Sequence, residues 1–173
     1  MSGLIDNVLD FARGRLGGGI SLNISTVAMG PILEHVVAEL RVGMADREIQ
    51  TSFDLEAPVT CDYQRIAQLV SNLLANAIVH GAKDRPVVLS AKSSHDAFEV
   101  AVSNSGPAIE VGAMERLFQP FFRGDIGRSR QGLGLGLHIA SEIAKAHEGA
   151  LTVQSDTEIT RFIFFMSGKR DRV

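Results

Sequence analysis

Gly132–Ala140 reads GLGLGLHIA, in which three alternating glycines run directly into an amphipathic helix. Glycine lets the backbone approach a ligand closely, and a helix N-terminus offers unpaired N–H groups together with the positive end of the helix dipole. The stretch therefore predicts a phosphate-binding site in front of a helix. A tight turn without a ligand is the alternative that this stretch alone leaves open.

A row of polar side chains on an earlier helix supports the phosphate site. From Asp62 to about His80, apolar residues recur at helical spacing and indicate a buried face; they are Ile66, Leu69, Val70, Leu73, Leu74, Ala77 and Ile78. Four polar side chains share another face at i, i+4 spacing, namely Gln68, Asn72, Asn76 and His80. Amide oxygens are hard ligands that suit magnesium, so the row predicts a metal site. A merely solvated row is the alternative.

Two further motifs lie between this helix and the glycines. A half-buried strand is predicted over Phe98–Val102, and it ends in the turn Asn104-Ser105-Gly106-Pro107. Leu117-Phe118-Gln119-Pro120-Phe121 follows, and after it comes a polar segment from Asp125 to Gln131.

Together these motifs resemble, in order, the sequence boxes of the catalytic ATP-binding domain of bacterial two-component sensor histidine kinases, within the GHKL superfamily. Asn72–Ala77 resembles the N box, Asn104–Pro107 the first glycine box, Leu117–Phe121 the F box and Gly132–Leu137 the second glycine box. Each box alone is a weak signal, but four in the right order make a specific match. The resemblance extends over nearly the whole chain from Ser25 onward.

The predicted elements indicate an α/β (α+β) two-layer sandwich, with helices packed on one face of a mixed sheet. The resemblance implies the same GHKL layout, with residues 1–19 as the end of a dimerisation helical domain and its linker, and residues 20–173 as the catalytic ATP-binding domain. The pattern predicts, besides the polar-row helix, helices over 2–16 and 31–44 and one ending near 149, and strands over 20–24, 49–55, 87–91, 98–102, 151–153 and 162–166.

For the phosphates of ATP, the resemblance implies a magnesium ion held by Asn76, with Asn72 binding the metal or its water. It implies backbone donors to the phosphates from Gly132, Gly134, Gly136 and Leu137. It also implies that an arginine near or in a lid reaches the terminal phosphate: Arg123, Arg128 or Arg130. Solvated arginines without that role remain the alternative.

For the adenine, the resemblance implies that Asn104 accepts a hydrogen bond from the exocyclic amine and that Gly106 leaves room for the ring. His80 and Ile109 are expected to flank the base, and Thr160 to supply a polar contact near it.

The chain departs from the family pattern at four positions. Asn104 stands where the family has an aspartate, and a neutral amide accepts a weaker hydrogen bond than a carboxylate does. Ala108 replaces the second glycine of the first glycine box, Val79 a frequent lysine, and Ile159 the usual glycine before Thr160. Weaker binding of adenine is therefore expected.

By resemblance, the chain is expected to transfer the γ-phosphoryl group of ATP to a histidine on a dimerisation domain that would precede Met1, for relay to a response regulator. The full-length kinase is expected to be a homodimer, and this chain to be inactive alone. His147-Glu148 superficially resembles a phosphoacceptor pair, but we interpret His147 as a capping or surface residue. The alternatives are a degenerate nucleotide-binding or docking module, and another GHKL ATPase or serine kinase. Gyrase-type members carry a general-base glutamate where this row has Asn72, which argues against the last class.

Composition agrees with one domain and a short leader. The 173 residues are 45% hydrophobic and carry a net charge of −3, which argues against a nucleic-acid partner. The single cysteine, Cys61, cannot form an intramolecular bridge, and the sequence shows no signal peptide or apolar run long enough to span a bilayer. A cytoplasmic location is predicted, with membrane attachment only through segments outside this chain.

Overall fold

The computed structural model describes residues 2–123 and 132–168. The helices in these residues are α1 (Ser2–Arg15), α2 (Met29–Gly43), α3 (Tyr63–His80), α4 (Val111–Met114) and α5 (Gly136–Ala146). The strands are β1 (Ser25–Val27), β2 (Ile49–Leu55), β3 (Val59–Cys61), β4 (Val87–Ser93), β5 (Ala97–Ser105), β6 (Ala150–Ser155) and β7 (Ile159–Ser167). No helix in this part of the chain is both long enough and apolar enough to cross a membrane.

Five strands form one mixed sheet in the order β2-β4-β5-β7-β6. The pair β2 and β4 is parallel because α3 carries the chain back between them, whereas the other neighbours are antiparallel. A separate two-stranded ribbon joins β1 to β3. The mixed sheet confirms the predicted fold class.

Helices α2, α3 and α5 cover one face of this sheet. The whole predicted apolar face of α3 is buried, and so are Ile139 and Ile143 of α5. Alternate strand residues meet these helices, among them Val100, Val102 and Phe164. The core thus lies between a helical layer and one side of the sheet, and it holds α3 and α5 against each other.

The predicted strand over 20–24 is wrong. After α1, regular structure resumes only at Ser25, where β1 pairs with β3, a strand that the sequence pattern did not predict. Both strands have three residues, too few for a period-2 pattern to register. In the segment before β1, Asn23 N–H donates to Asp62 Oδ2 at 2.9 Å, and Ile20 packs against the core.

His147 is a C-cap residue, as expected, but it does not lie on the surface. Its imidazole is 8% exposed, with Nδ1 2.9 Å from the Ile143 carbonyl and Nε2 3.1 Å from the backbone nitrogen of Asp62. A neutral ring that donates from Nδ1 and accepts at Nε2 satisfies both bonds. His147 therefore ties the end of α5 to the start of α3, and the surface interpretation is wrong.

Candidate functional site

The polar row lies on α3, whose start is fixed by its N-cap. The Asp62 carboxylate accepts hydrogen bonds from the backbone N–H groups of Gln64 and Arg65, both at 3.1 Å.

Cys61 precedes this N-cap. Burial is the main cause that raises the pKa of its thiol to about 11, and the neighbouring Asp62 charge adds to the effect. That thiol is therefore protonated near neutral pH and is a poor nucleophile or metal ligand.

The row divides into two parts according to its partners. Gln68 Nε2 donates to Asp10 at 2.9 Å and to Asn7 at 3.2 Å, so this amide holds α1. Asn72 Nδ2 also donates to Asn7 at 3.2 Å, and Asn72 Oδ1 accepts from it at 3.3 Å. Asn76 is half-buried and makes no side-chain hydrogen bond within residues 2–123 and 132–168. Of the two amides proposed as metal ligands, only Asn76 is free of side-chain hydrogen bonds in that set.

Asn72 brings the polar row to the glycine stretch. Its Nδ2 donates to the carbonyl of Gly136 at 3.1 Å, and a Cβ on Gly136 would lie 3.8 Å from Asn72 Cγ. Gly136 is the first residue of α5, so the amide row contacts the start of this helix. The two motifs found separately in the sequence are therefore neighbours in space.

The glycine stretch adopts a backbone that other residues would not accept. Gly132 and Gly134 have φ angles of 95° and 71°, in the left-handed region. A Cβ on Gly134 would lie 2.9 Å from the carbonyl oxygen of Phe122, because Phe121 N–H donates to the Gly134 carbonyl at 2.9 Å. Close contact with the F-box backbone thus requires glycine at 134.

Backbone donors remain available where α5 begins. Ile139 N–H is bonded to the Leu135 carbonyl, so the amides of Gly136 and Leu137 precede the first intrahelical bond. They lie at the positive end of the α5 dipole. Arg123, a candidate for the terminal phosphate, donates instead to the Gly132 carbonyl in this structure. The other two candidates, Arg128 and Arg130, lie outside the described residues.

The predicted base-binding residues converge at the end of β5. Asn104 is 6% exposed and pairs across the sheet with Thr160 on β7. Thr160 Oγ1 lies 2.7 Å from Ser155 Oγ, which in turn accepts from Ile109 N–H at 3.0 Å. A chain of polar contacts therefore links Ile109, two residues after the first glycine box, to the β6–β7 hairpin. The sequence pattern did not identify Ser155, although it lies only five positions before Thr160.

The end of α3 closes this region from the other side. A Cβ on Gly106 would lie 3.3 Å from the His80 carbonyl, so Gly106 accommodates the close approach of α3. Burial lowers the pKa of His80, which leaves the imidazole neutral near pH 7. A neutral ring suits contact with a base. Whether Gly106 also leaves room for that base stays a prediction.

Asn104 makes only a weak hydrogen bond. Its Nδ2 lies 3.4 Å from the Ser105 carbonyl, and its Oδ1 accepts no hydrogen bond from the described residues. The oxygen is therefore available to a donor such as an amino group. The structure thus places Asn72, in the middle of α3, against Gly136, with Asn76 one turn further along the helix. It gathers Asn104, Ile109 and Thr160 at the end of β5.

The side chains available as ligands limit which metal ion this site suits. No group of three or more histidine, cysteine, aspartate or glutamate side chains in the described ranges is arranged to hold a metal ion. An amide oxygen such as that of Asn76 fits a hard cation that retains most of its waters and takes further oxygens from a phosphate ligand. Magnesium behaves in that way, so the residues present fit it.

Comparison with known proteins places this chain in a family. The family model described as histidine kinase-, DNA gyrase B-, and HSP90-like ATPase matches residues 61–170. The probable sensor histidine kinase TcrY of Mycobacterium tuberculosis is 37% identical over 166 residues, covering 92% of this chain and 34% of that protein. A bacteriophytochrome of Pseudomonas aeruginosa is 31% identical over 164 residues, covering 94% of this chain and 22% of that protein. The chain thus spans about a fifth to a third of these relatives.

Solved structures agree with this assignment. Full-length ShkA in complex with AMPPNP superposes with a TM-score of 0.78 at 26% identity, covering 96% of this chain and 36% of that chain. The histidine kinase AdeS of Acinetobacter baumannii shares the fold with a TM-score of 0.78 at 21% identity, covering 98% of this chain and 79% of that chain. With the amide row, the glycine stretch and the α/β sandwich in the family's arrangement, the chain belongs to the histidine kinase-, DNA gyrase B- and HSP90-like ATPase family.

Proposed function

We propose that this chain is the catalytic ATP-binding part of a sensor histidine kinase, which transfers the γ-phosphoryl group of ATP to a histidine on a helical dimerisation domain. The observation that carries the proposal is the bond from Asn72 Nδ2 to the Gly136 carbonyl, because it joins the amide row to the glycine stretch. The named sensor kinases among the relatives support the same function.

The phosphates of ATP fit the start of α5. The free amides of Gly136 and Leu137 and the positive end of the helix dipole favour an anion there. The turn through Gly132 and Gly134 brings further backbone close to that position. Magnesium, when bound through Asn76, would neutralise phosphate charge.

The adenine fits the opposite end of the site, against the turn after β5. Asn104 Oδ1 has no donor within the described ranges, and the exocyclic amine of adenine would supply one. Ile109 and the neutral His80 would flank the ring, while Thr160 lies across the sheet from Asn104.

Phosphoryl transfer depends mainly on positioning and on charge neutralisation. Asn72 is a neutral amide at the position where gyrase-type members carry a glutamate, so it cannot remove a proton from water. The site therefore favours transfer to an external acceptor over hydrolysis. An arginine among Arg123, Arg128 and Arg130 would stabilise the terminal phosphate.

The partners follow from the same proposal. The acceptor histidine belongs to a dimerisation domain, of which residues 1–19 form the end, and the phosphoryl group passes on to a response regulator. The whole kinase would act as a homodimer with this domain in the cytoplasm.

A second candidate is a nucleotide-binding module without turnover. Three observations favour it: Asn104 is neutral, the side chain of Asn72 is engaged by Asn7, and Arg123 is engaged by the Gly132 carbonyl. Such a module would bind nucleotide without transferring phosphate to a supplied acceptor domain.

Calorimetry of ATP binding tests the proposed site. We expect binding in magnesium and little or none in EDTA, and we expect Asn76→Ala to weaken binding by about tenfold or more because the metal loses its protein ligand. Gln68→Ala is the matched control, since this amide stands in the same row but contacts α1. Equal affinity in EDTA, or an unaffected Asn76→Ala variant, would remove the metal argument.

A further inference from the structure

Arg47, a charged side chain near the proposed base, has buried donor groups without hydrogen-bond partners in the described residues. It is half-buried in the turn between α2 and β2, and its Nη1 donates to the Gly81 carbonyl at 3.3 Å. Its Nε and Nη2 are fully buried and have no hydrogen-bond partner among the described residues. No carboxylate in that set forms an ion pair with it. Buried donors without partners are rare in folded proteins and require an explanation.

Gly81 is the point where this guanidinium meets the base-binding turn. A Cβ on Gly81 would lie 2.6 Å from the Ala77 carbonyl oxygen, 3.0 Å from Asn104 Cβ and 3.1 Å from Arg47 Nη2. Gly81 N–H is itself bonded to the Ala77 carbonyl at 2.8 Å, at the negative end of the α3 dipole. Arg47, Asn104 and the last turn of α3 are thus packed around one residue that has no side chain.

The charge balance at this point is incomplete. The α3 dipole offsets part of the guanidinium charge, but Asn104 contributes no charge of its own. A carboxylate at position 104 would lie within reach of Arg47, since both groups adjoin Gly81. A buried cation is stabilised most by an opposite charge that also accepts its hydrogen bonds.

We propose that Arg47 is a positioning residue of the base pocket, which acts through Gly81 and Asn104. It fixes the end of α3 against β5, and so fixes the amide that accepts the adenine amine. It does not touch the nucleotide, because its unpaired nitrogens have no exposed surface. The inference rests on the proposed function for its effect on ATP, but not for its effect on residue 104.

Nucleotide selectivity tests the positioning role. Calorimetry would compare the magnesium complexes of ATP, of ITP, which carries a carbonyl in place of the amine, and of tripolyphosphate, which has no base. We expect Arg47→Met to weaken ATP roughly three- to tenfold while leaving ITP and tripolyphosphate unchanged, and Arg47→Lys to restore part of the loss. A merely structural role would weaken all three ligands alike.

Arg41→Met is the matched control for this experiment. Arg41 also donates to a backbone carbonyl, that of Ile49 at 2.7 Å, at the beginning of β2. We expect its loss to leave the ratio of ATP to ITP affinity unchanged. An unchanged ratio in Arg47→Met as well would overturn the proposal while leaving the proposed function intact.

A second measurement needs no nucleotide. Asn104→Asp should raise the melting temperature by about 2–4 °C in the wild-type background, because the new carboxylate pairs with Arg47. The same substitution should give no gain in the Arg47→Met background. Equal gains in both backgrounds, or no gain in either, would overturn the coupling. If the wild-type chain binds no ATP, the proposed function fails and this cycle still decides the role of Arg47.

Discussion

Asn104 shows how the role of one side chain depends on what surrounds it. It lies near the end of β5, paired with Thr160. Its amide nitrogen is directed at the Ser105 carbonyl, and its amide oxygen accepts no hydrogen bond from the described residues. An amide in this position accepts a weaker hydrogen bond than a carboxylate would. We therefore expect this residue to limit both affinity for adenine and discrimination against guanine.

We expect Asn104→Asp to tighten ATP binding. A charge-assisted bond to the amine, less the greater desolvation cost of a carboxylate, gives a net gain of about 0.5–1.5 kcal/mol, or roughly two- to tenfold. Discrimination should rise as well, because GTP presents a carbonyl where ATP presents the amine and an amide can turn its nitrogen to donate. Competition titrations with ATP and GTP measure both effects. Unchanged ATP affinity and no better discrimination would show that Asn104 does not contact adenine.

At the scale of elements, α1 is held against the body of the protein by buried polar groups. Asn7 and Asp10 are 8% and 6% exposed, although α1 leaves Leu4 and Ile5 at least half exposed. Asp10 pairs with Arg65 at 2.7 Å. Phe11 adds an edge-to-face contact with Phe121, at 5.0 Å between ring centroids. A short helix thus reaches both the polar row of α3 and the F box.

We expect Asp10→Ala to loosen α1 without unfolding the sheet. The substitution removes the acceptor for both Arg65 and Gln68, which we expect to cost about 1–3 kcal/mol of local stability. Hydrogen exchange of the α1 amides should become roughly five- to 150-fold faster, while exchange in β5 stays unchanged.

Asp6→Ala provides the control on the same helix, because that carboxylate is exposed. It should leave α1 exchange unchanged. Equal acceleration in both variants would mean that helix propensity, and not the Asp10 contacts, holds α1 in place.

At the scale of the whole molecule, the five described histidines are poorly placed to receive a phosphoryl group. His80 is proposed to flank the base, at the opposite end of the site from the phosphates. His147 is buried with both ring nitrogens engaged, and His138 is bonded to the Phe118 carbonyl. His95 lies in the turn before β5, and the strand from Ala97 to Asn104 covers about 23 Å at a rise of ~3.3 Å per residue. His35 is exposed on α2, next to Glu39.

The isolated chain should therefore form no phosphohistidine from labelled ATP. It should transfer label to a separately supplied dimerisation domain from the parent kinase, and the product should be acid-labile. Autoradiography after acid and alkali treatment distinguishes phosphohistidine from phosphoserine. Acid-labile label on the isolated chain, lost in His147→Ala, would contradict this prediction.

Patterns that are local in sequence predicted most of the architecture. The 3.6-residue period identified the buried face of α3. Alternation of apolar and polar residues identified the strand predicted over 49–55, which matches β2, and the pair β4 and β5. Both periods are visible in the sequence because they follow from backbone geometry alone. The four boxes identified the family for the same reason. Each box is contiguous, so its residues and spacing are visible without any tertiary contact.

What the sequence determined by itself was the family, the α/β sandwich and the stretches that form the candidate site. Only the tertiary structure decided how those stretches are held. Asn7 on Asn72, His147 on Asp62 and Arg47 beside Gly81 each join residues more than thirty positions apart. Such contacts leave no periodic trace, because they depend on where packing of the core sets two surfaces side by side. Burial then determined which amide stayed free, which histidine became structural and which guanidinium kept two nitrogens without a hydrogen-bond partner in the described residues.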